Sequence, residues 1–185
     1  FVFNSLNLGI DLEQYKALKI EIKFNGVELK SSYFDIENQG YFNLKNKTMN
    51  LEKFKFDDNN VILDKKEIYL DKPLILPKNY NLKIFAGTKI FFGKDSFIQL
   101  DGGNIEAIGS ELKKIYFLPH HTSKEWSGLL VKNSKQKSIF NHVIFENLNH
   151  YKTHNSFLTG GINFYKSDVD FSNTNFINSN AEDFL

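Results

Sequence analysis

The sequence predicts an all-β chain whose larger part is a parallel β-helix, a solenoid in which each turn of strands stacks on the previous one. Short apolar segments follow one another over residues 82–180, and Gly, Asn, Asp or Ser ends each of them, with almost no helical pattern between them. One segment repeats at a constant offset of 31 positions, from Phe140 to Phe171 and from Phe145 to Phe176. A fixed period of this size, built from strands, is typical of a solenoid.

Residues at equivalent positions of successive turns are expected to lie directly above one another, at the sheet spacing of roughly 4.8 Å. Phe140 over Phe171 and Phe145 over Phe176 predict two aromatic stacks in the interior, where burial of one such side chain contributes about 1.5–3 kcal/mol. Asn147 and Asn178 are related by the same offset. They predict a hydrogen-bonded amide ladder at a corner, because Asn also tolerates the left-handed backbone conformation of a sharp turn.

Residues 1–60 differ from the rest and are predicted to form a small β-rich module that either caps the coil or packs beside it. Ile20–Phe24 and Val27–Lys30 alternate apolar and polar residues on the two sides of Asn25-Gly26. This pattern predicts a hairpin, because Asn-Gly supplies the two positive φ angles of a type I′ turn. A short helix is predicted over Asp11–Leu18, with an Asp at its N-cap. Further strands are predicted over Tyr33–Leu44 and Met49–Phe56.

Residues 61–185 are predicted to form the coil. Its connectors contain Pro, Gly, Asn and Asp, which suit tight corners and leave no room for the helices of a βαβ fold. The predicted strands that open the coil are Val61–Leu63, Glu67–Leu70, Leu74–Leu76, Leu82–Phe85, Ile90–Phe92, Phe97–Leu100, Ile105–Ile108 and Ile115–Phe117.

The chain starts with Phe rather than Met and ends inside a repeat. We therefore expect a piece of a longer protein, with the coil truncated at its C-terminal end and any signal peptide removed.

The composition excludes several classes of partner and site. The 23 basic and 22 acidic residues give a formal net charge of +1 at pH 7, so neither nucleic acid nor an anionic membrane is expected as a partner. All 23 basic residues are Lys, which argues against sites that need the bidentate geometry of Arg. The absence of cysteine excludes disulfides and thiolate metal sites. No apolar run reaches the length of about 18 residues that a membrane span needs.

One stretch resembles the opening turn of right-handed parallel β-helix repeat proteins, the broad pectin-lyase-like group: Leu74-Ile-Leu-Pro-Lys-Asn-Tyr-Asn-Leu-Lys-Ile-Phe-Ala-Gly-Thr-Lys-Ile-Phe-Phe92. Ile105–Gly109 and Trp126-Ser-Gly128 resemble the continuation of such coils, and the resemblance covers residues 61–185. It implies a right-handed coil, an extracellular or cell-envelope location as in bacterial secreted and surface proteins, and carbohydrate as the commonest ligand. It leaves the activity open, because such coils carry lyases, hydrolases, epimerases, adhesins and surface proteins without known activity.

Candidate ligand-binding residues lie on a predicted loop, Asn149–Leu158, that interrupts the repeat and bulges out of the coil. His150, Tyr151 and His154 offer rings that can stack on sugar faces and bond to hydroxyl groups, and an exposed polar loop is the alternative. Trp126 is a further ligand-binding candidate, for which packing in the core or at a strand end is the alternative.

The sequence predicts structural rather than ligand-binding positions for the remaining histidines. His142 occupies the place of Asn173 in the second copy of the repeat and is predicted to lie at a stacked turn. His120 and His121 follow Pro119, which predicts a polar loop, and the chain contains no His-Glu-x-x-His motif. Neither a metal nor a cofactor is predicted.

Asp170, Glu182 and Asp183 are the candidate catalytic residues. Asp170 lies between Val169 and Phe171, so it points outward if those two point inward. Stacking brings outer residues of adjacent turns about 5 Å apart, and glycosidases need about 5–5.5 Å (retaining) or about 6.5–9.5 Å (inverting) between two carboxyl groups. Asp170 with Glu182 or Asp183 is therefore a candidate acid pair, and acidic side chains that deter edge aggregation are the alternative.

These observations favour a secreted or cell-surface β-helix scaffold that binds a polysaccharide or surface glycan without catalysis. Two alternatives remain open. In the first, the chain is a polysaccharide lyase, hydrolase or epimerase that acts from the outer face of the coil. In the second, it is a structural or adhesive segment of a larger protein.

Overall fold

The computed structural model describes residues 17–24, 27–35, 54–153 and 157–183. The chain divides into two compact units, Phe1–Tyr41 and Phe42–Leu185. The described ranges contain strands and turns but no helix, so the predicted all-β class is confirmed. Within the same ranges no helix is long and apolar enough to cross a membrane.

The first unit contains a two-stranded antiparallel sheet, β1 (Ala17–Phe24) and β2 (Val27–Asp35). Phe24 pairs with Val27, which confirms the predicted hairpin, although the Asn-Gly turn itself lies outside the described residues. The helix predicted to reach Leu18 is wrong at its last two residues. They belong to β1, because strand pairing with β2 extends to Ala17 and overrides the local helical pattern. The earlier part of that predicted helix, residues 11–16, lies outside the described ranges.

The second unit is a succession of short strands, most of them two to five residues long. They are β3 (Lys55–Asp57), β4 (Asn60–Leu63), β5 (Glu67–Leu70), β6 (Leu74–Ile75), β7 (Asn81–Phe85), β8 (Lys89–Phe92), β9 (Ile98–Asp101), β10 (Ile105–Ile108), β11 (Ile115–Pro119), β12 (Leu129–Lys132), β13 (Ser138–Asn141), β14 (Val143–Glu146), β15 (Tyr151–Lys152), β16 (Phe157–Leu158), β17 (Ile162–Tyr165), β18 (Val169–Ser172) and β19 (Asn175–Ile177).

Most of these strands form three sheets. The six-stranded sheet has the order β18-β13-β10-β7-β4-β3, the five-stranded sheet β19-β14-β11-β8-β5 and the four-stranded sheet β17-β12-β9-β6. Every pair in them is parallel except β3 with β4. From β4 to β12, consecutive strands belong to different sheets, and each strand from β4 to β11 pairs with the third one after it. The chain therefore visits the three sheets in rotation.

Because the strands pair in register, residues that face the interior form columns, one residue from each strand. In the five-stranded sheet one such column is Ile68, Ile90, Phe117, Phe145 and Phe176. The matching columns of the other sheets are Leu63, Ile84, Ala107, Phe140 and Phe171, and Leu74, Ile98, Leu129 and Ile162. These side chains are buried, except that Phe171 and Phe176 of the last strands are only partly buried.

The two predicted aromatic stacks are confirmed. The rings of Phe145 and Phe176 are 5.2 Å apart at an angle of 6°, and those of Phe140 and Phe171 are 5.1 Å apart at 21°. Phe117 extends the first stack, with its ring 4.6 Å from that of Phe145. The repeat of the sequence therefore corresponds to direct superposition in the core.

The corners use left-handed residues where the sequence predicted them. Asn147 and Asn178 both have φ of 53°, and His142 and Asn173 have φ of 52° and 49°. The prediction that His142 takes the turn position of Asn173 is thus confirmed. Among residues other than glycine, Asn, Asp and His adopt this left-handed conformation most often.

Amide side chains also link successive corners. Asn173 donates from Nδ2 to Oδ1 of Asn141 at 3.1 Å. Between the corners of Asn147 and Asn178 the described bond is a backbone one, from the Asn147 N–H to the carbonyl of Ile177 at 2.9 Å. The left-handed conformation of the predicted ladder is therefore present, and a side-chain amide bond is described at a neighbouring corner.

One end of the six-stranded sheet is formed by β3, which turns back on β4 through Asp58 (φ 48°) and Asn59. This places Lys55–Asp57, which the sequence assigned to the 1–60 module, in the six-stranded sheet. Phe54 just before it is 6% exposed and belongs to the core.

Replacement of Phe145 by Ala is expected to lower the free energy of unfolding by about 3–5 kcal/mol, because it removes a fully buried ring between Phe117 and Phe176. Phe85 is the matched control: it is 55% exposed, and Phe85→Ala should cost less than about 1 kcal/mol. Urea unfolding followed by the fluorescence of the single tryptophan, the buried Trp126, measures both variants. Equal losses would contradict interior stacking.

Candidate functional site

Exposed aromatic side chains lie on the outer face of the five-stranded sheet, on its first two strands. In β5 the outward positions are Glu67 and Tyr69, because successive side chains of a strand alternate and the other two residues are buried. In β8 the same alternation turns Phe91 outward, in register with Tyr69. The parallel register therefore sets two aromatic rings side by side.

Two histidines that follow β11 complete a cluster that we call the aromatic surface: Tyr69, Phe91, His120 and His121. The rings of Tyr69 and Phe91 stack with centroids 4.9 Å apart at an angle of 14°. His120 meets Tyr69 edge-on at 5.6 Å, and the ring of His121 is 3.8 Å from that of His120. Tyr69 is 38% exposed and His121 is exposed, so solvent reaches this cluster of rings.

A tight turn holds His120 in place. Its N–H donates to the carbonyl of Phe92 at 2.6 Å, and its own carbonyl accepts from the N–H of Ser123 at 2.7 Å. Its Nδ1 lies 2.7 Å from Oγ1 of Thr122 and accepts from the N–H of that residue at 3.4 Å. This turn is the polar loop that the sequence predicted. Within the described ranges, no group of three or more His, Cys, Asp or Glu residues could hold a metal ion.

Charged side chains border the aromatic surface. The hydroxyl of Tyr69 donates to Oε2 of Glu67 at 3.1 Å, and this hydrogen bond is the main cause that raises the pKa of Tyr69. Lys89 lies opposite Glu67 in the register, and its Nζ is 5.7 Å from the ring centroid of Tyr116. Ring faces, a carboxylate acceptor, an ammonium donor and a hydroxyl therefore lie on one sheet face, a combination suited to ligands that carry many hydroxyl groups.

The predicted loop at Asn149–Leu158 contains a short hairpin, in which β15 and β16 pair antiparallel. Tyr151 of β15 is fully buried: its hydroxyl donates to Oε1 of Gln99 at 2.6 Å, and its ring lies edge-on to Phe97 at 5.1 Å. Gln99 points outward from β9, so Tyr151 packs the hairpin onto the outside of the four-stranded sheet. Burial raises the pKa of the Tyr151 hydroxyl well above its usual value.

The other predicted ligand residues occupy different positions. His150 donates from Nδ1 to the carbonyl of Thr159 at 2.9 Å, and its ring is 5.2 Å from that of Phe157, which is 58% exposed. His154 lies outside the described residues. His150 and Phe157 therefore form the open side of the hairpin.

Trp126 lies in the core. It is 1% exposed, stacks on Phe92 with centroids 4.0 Å apart, and donates from Nε1 to the carbonyl of Glu146 at 2.9 Å. Trp126 and Tyr151 thus have their polar atoms satisfied by protein groups, and the structure does not bring the Trp126 ring to the open side of the hairpin.

The three predicted acids are exposed, but they do not share one sheet face. Asp170 points outward from β18 in the six-stranded sheet, opposite Ile139. Asp183 forms an isolated parallel bridge with Gly160, just before β17 of the four-stranded sheet, and Glu182 is its neighbour in sequence. The structure therefore places Asp170 and Asp183 along different sheets.

An acid that the sequence analysis missed lies in the same outward row as Asp170. The row consists of Ile62, Lys83, Glu106, Ile139 and Asp170. Lys83 and Glu106 form an ion pair with Nζ and Oε2 3.7 Å apart. Together with Phe85 and Ile108 they line an open groove of about 380 Å³. The alternation of apolar and charged residues in β7 and β10 is the sequence pattern that could have revealed this row.

Comparison of the chain with protein-family models, with curated proteins and with solved structures gives no match. Only the chemistry and geometry of these surfaces therefore bear on function.

Tyr151→Phe is expected to make the stability of the protein less sensitive to alkaline pH. A tyrosine whose pKa is raised on folding stabilises the fold fully below its ordinary pKa of 10.0, and this contribution is lost as the pH rises beyond that value. The free energy of unfolding should therefore fall more steeply between about pH 9 and about pH 11 in the wild type than in the variant. At neutral pH the variant should lose about 0.5–1.5 kcal/mol with the hydrogen bond to Gln99.

Urea unfolding at the two pH values measures this difference. Tyr165→Phe is the matched control, because Tyr165 is 59% exposed and should keep the wild-type dependence on pH. If Tyr151→Phe showed the wild-type slope as well, the Tyr151 hydroxyl would not be buried in solution.

Proposed function

We propose that residues 61–183 wind as a right-handed parallel β-helix, in which the three sheets are the three sides of one solenoid. The rotation of consecutive strands among the sheets and the parallel pairing of each strand with its equivalent one turn later support this reading. The handedness follows the strong general preference for right-handed crossover between parallel strands. It also agrees with the pectin-lyase-like resemblance of Leu74–Phe92.

The coil is a secreted or cell-surface scaffold that binds a polysaccharide or surface glycan. The observation that carries this proposal is the aromatic surface, where an exposed Tyr69 stacks on Phe91 beside two imidazole rings. A pyranose ring has an apolar face of C–H groups, which packs on a flat aromatic ring, while its hydroxyl groups need donors and acceptors at the rim. Glu67 and Lys89 provide both at the border of the rings. The extracellular or cell-envelope location rests on the resemblance to secreted coils.

Tyr69→Ala is expected to weaken glycan binding about tenfold or more, because aromatic anchors at the centre of a binding surface contribute a large share of the affinity. A glycan-array screen with the purified chain identifies the ligand, and isothermal titration calorimetry with the strongest hit gives the dissociation constants of wild type and variant. His121→Ala should produce a smaller loss, because this ring lies at the border of the cluster.

Tyr165→Ala provides the matched control, since Tyr165 is an exposed aromatic residue on β17 of a different sheet. It should leave the affinity unchanged. If no glycan on the array bound, or if Tyr165→Ala lost as much affinity as Tyr69→Ala, the aromatic surface would not be the binding site. If only a Phe157 variant lost binding, the binding site would lie on the hairpin instead.

A lyase, hydrolase or epimerase is the second candidate, favoured by the groove beside Lys83 and Glu106. Glu106 and Asp170 belong to the same outward row and are separated by one strand. Two steps of roughly 4.8 Å place their strand positions roughly 9.6 Å apart, just above the range of about 6.5–9.5 Å between the carboxyl groups of inverting glycosidases. Under this alternative, Glu106 is the partner of Asp170 in the acid pair, in place of Glu182 or Asp183.

Under the leading proposal, a bound glycan is expected to be recovered intact after prolonged incubation with the protein. Chromatography for shortened chains and ultraviolet absorbance for unsaturated products check this outcome. Turnover that falls at least a hundredfold in both Glu106→Gln and Asp170→Asn, but not in Glu111→Gln, would establish the enzyme instead. Glu111 is the control because it is exposed in a turn outside the sheets.

A further inference from the structure

A third aromatic ring lies beside the aromatic surface on the same sheet face. The next strand, β11, turns Tyr116 outward, because the residues on either side of it in the strand are buried. Tyr116 is partly exposed and lies opposite Lys89 of β8 in the register. The strands β5, β8 and β11 therefore present one outward aromatic residue each: Tyr69, Phe91 and Tyr116.

Tyr116 is too far from Phe91 for one sugar ring to cover both. Adjacent strands are roughly 4.8 Å apart, and two residues along a strand span roughly 6.7 Å. Tyr116 is one strand and two residues away from Phe91, so their backbone positions are roughly 8 Å apart. A single pyranose ring is smaller than this separation. Two successive units of one chain are therefore the smallest glycan that contacts both side chains.

On the outer faces of the other two sheets, a lysine and an acid on opposite strands form an ion pair. In the six-stranded sheet, Nζ of Lys83 is 3.7 Å from Oε2 of Glu106. In the four-stranded sheet, Nζ of Lys132 is 3.2 Å from Oδ2 of Asp101. In both pairs the ammonium group thus has a partner of opposite charge within the protein.

Lys89 differs from these two lysines. It also lies opposite an acid, Glu67, but the carboxylate of Glu67 accepts the hydrogen bond of the Tyr69 hydroxyl at 3.1 Å. The Nζ of Lys89 lies 5.7 Å from the ring centroid of Tyr116, a distance that allows cation–π attraction. Among the residues that the structure describes, no carboxylate lies within ion-pair distance of Lys89. Its N–H donors are therefore available on the sheet face, next to both Phe91 and Tyr116.

We propose that the glycan bound by the aromatic surface is a linear chain that crosses the strands, with one unit on Tyr69 and Phe91 and the next unit on Tyr116. The inference rests on the proposed function and adds Tyr116 to it as a second anchor. Lys89 donates hydrogen bonds to the oxygen atoms where the two units join. The polar groups and the ring faces of this sheet face then contact one ligand together.

The positions of the rings determine the direction of the chain. The aromatic residues follow one another from strand to strand, whereas each of the strands β5, β8 and β11 offers a single ring along its length. A glycan that ran along β8 would contact Phe91 and then only Lys89. A glycan that crosses from β5 to β11 contacts all three rings, so the crossing direction gives the larger aromatic contact.

Oligosaccharides of one to six units test the second anchor. They are prepared from cellulose, mannan and chitin, which are linear polysaccharides, and from the strongest hit of the glycan array. Titration of the full chain followed by nuclear magnetic resonance measures the dissociation constants, including weak ones. In the wild type the affinity should rise about tenfold or more from one unit to three units, because the longer chain reaches Tyr116. Tyr116→Ala should lose most of this rise.

Two further variants separate a second anchor from a general loss of affinity. His121→Ala should lower the affinity by a similar factor at every length, because His121 borders the first ring cluster. Tyr116→Phe keeps the ring and should keep the rise with length. Tyr116→Thr replaces Tyr116→Ala if the latter fails to fold, which the fluorescence of the buried Trp126 would reveal, since a β-branched residue suits a strand.

The role of Lys89 is tested in the same way. Lys89→Met should reduce the rise with length about threefold or more, because Met has no charge and no N–H donor. Lys132→Met is the matched control, since Lys132 is paired with Asp101 on a different sheet, and it should keep the wild-type dependence on length. An equal reduction in both variants would contradict the role of Lys89.

Failure of this inference can be told apart from failure of the proposed function. If Tyr69→Ala weakens binding but Tyr116→Ala keeps the full dependence on length, Tyr116 is not a second anchor and the proposed function stands. A wild-type affinity that does not change with length also overturns the inference. If no oligosaccharide binds, or if Tyr69→Ala binds as tightly as the wild type, the inference and the proposed binding site are both wrong.

Discussion

In-register parallel pairing within the three sheets is the constraint on which the rest of the structure depends. It sets each residue against its equivalent on the neighbouring strand, so most residues of an interior column must be apolar. Phe145 meets this demand by stacking on Phe176 at 5.2 Å. The same constraint acts on the outer faces, where it aligns Tyr69 with Phe91. The surface that we consider functional is thus a product of the register that builds the core.

Close backbone contacts also restrict which residues can occupy the corners between strands. A Cβ atom on Gly128 would lie 1.8 Å from the carbonyl oxygen of Gly161, and the φ of Gly128 is 73°. Only glycine allows the two backbones to approach this closely. Gly128 and Gly161 each open one copy of the 31-residue repeat, at positions that differ by that offset plus two. The repeat in the sequence therefore reflects both the packing of aromatic rings and the close contact of backbones.

Sequence alone predicted the features that depend on repetition and missed those that depend on contacts between distant segments. The stack of Phe145 on Phe176 and the left-handed His142 followed from the self-match, because neighbouring strands of one sheet impose the same environment twice. The aromatic surface did not, since Tyr69 and Phe91 precede the repeated segment and no internal alignment fixed their register. The burial of Tyr151 was missed for a related reason. Its partner Gln99 lies 52 residues away, and the hairpin interrupts the repeat, so it had no counterpart in the self-match.

The shape of the outer sheet face determines which ligand suits the proposed binding site. Successive side chains of a strand alternate, so the first two strands of the five-stranded sheet each present one aromatic ring, Tyr69 from β5 and Phe91 from β8. The two rings stack on each other, which fixes their orientation before a ligand arrives and lowers the entropic cost of binding. An open surface contacts a ligand from one side only, so a single sugar gains little affinity there. A polymer of sugars suits such a surface better, because neighbouring units can contact the rings and the charged border of Glu67 and Lys89 at the same time.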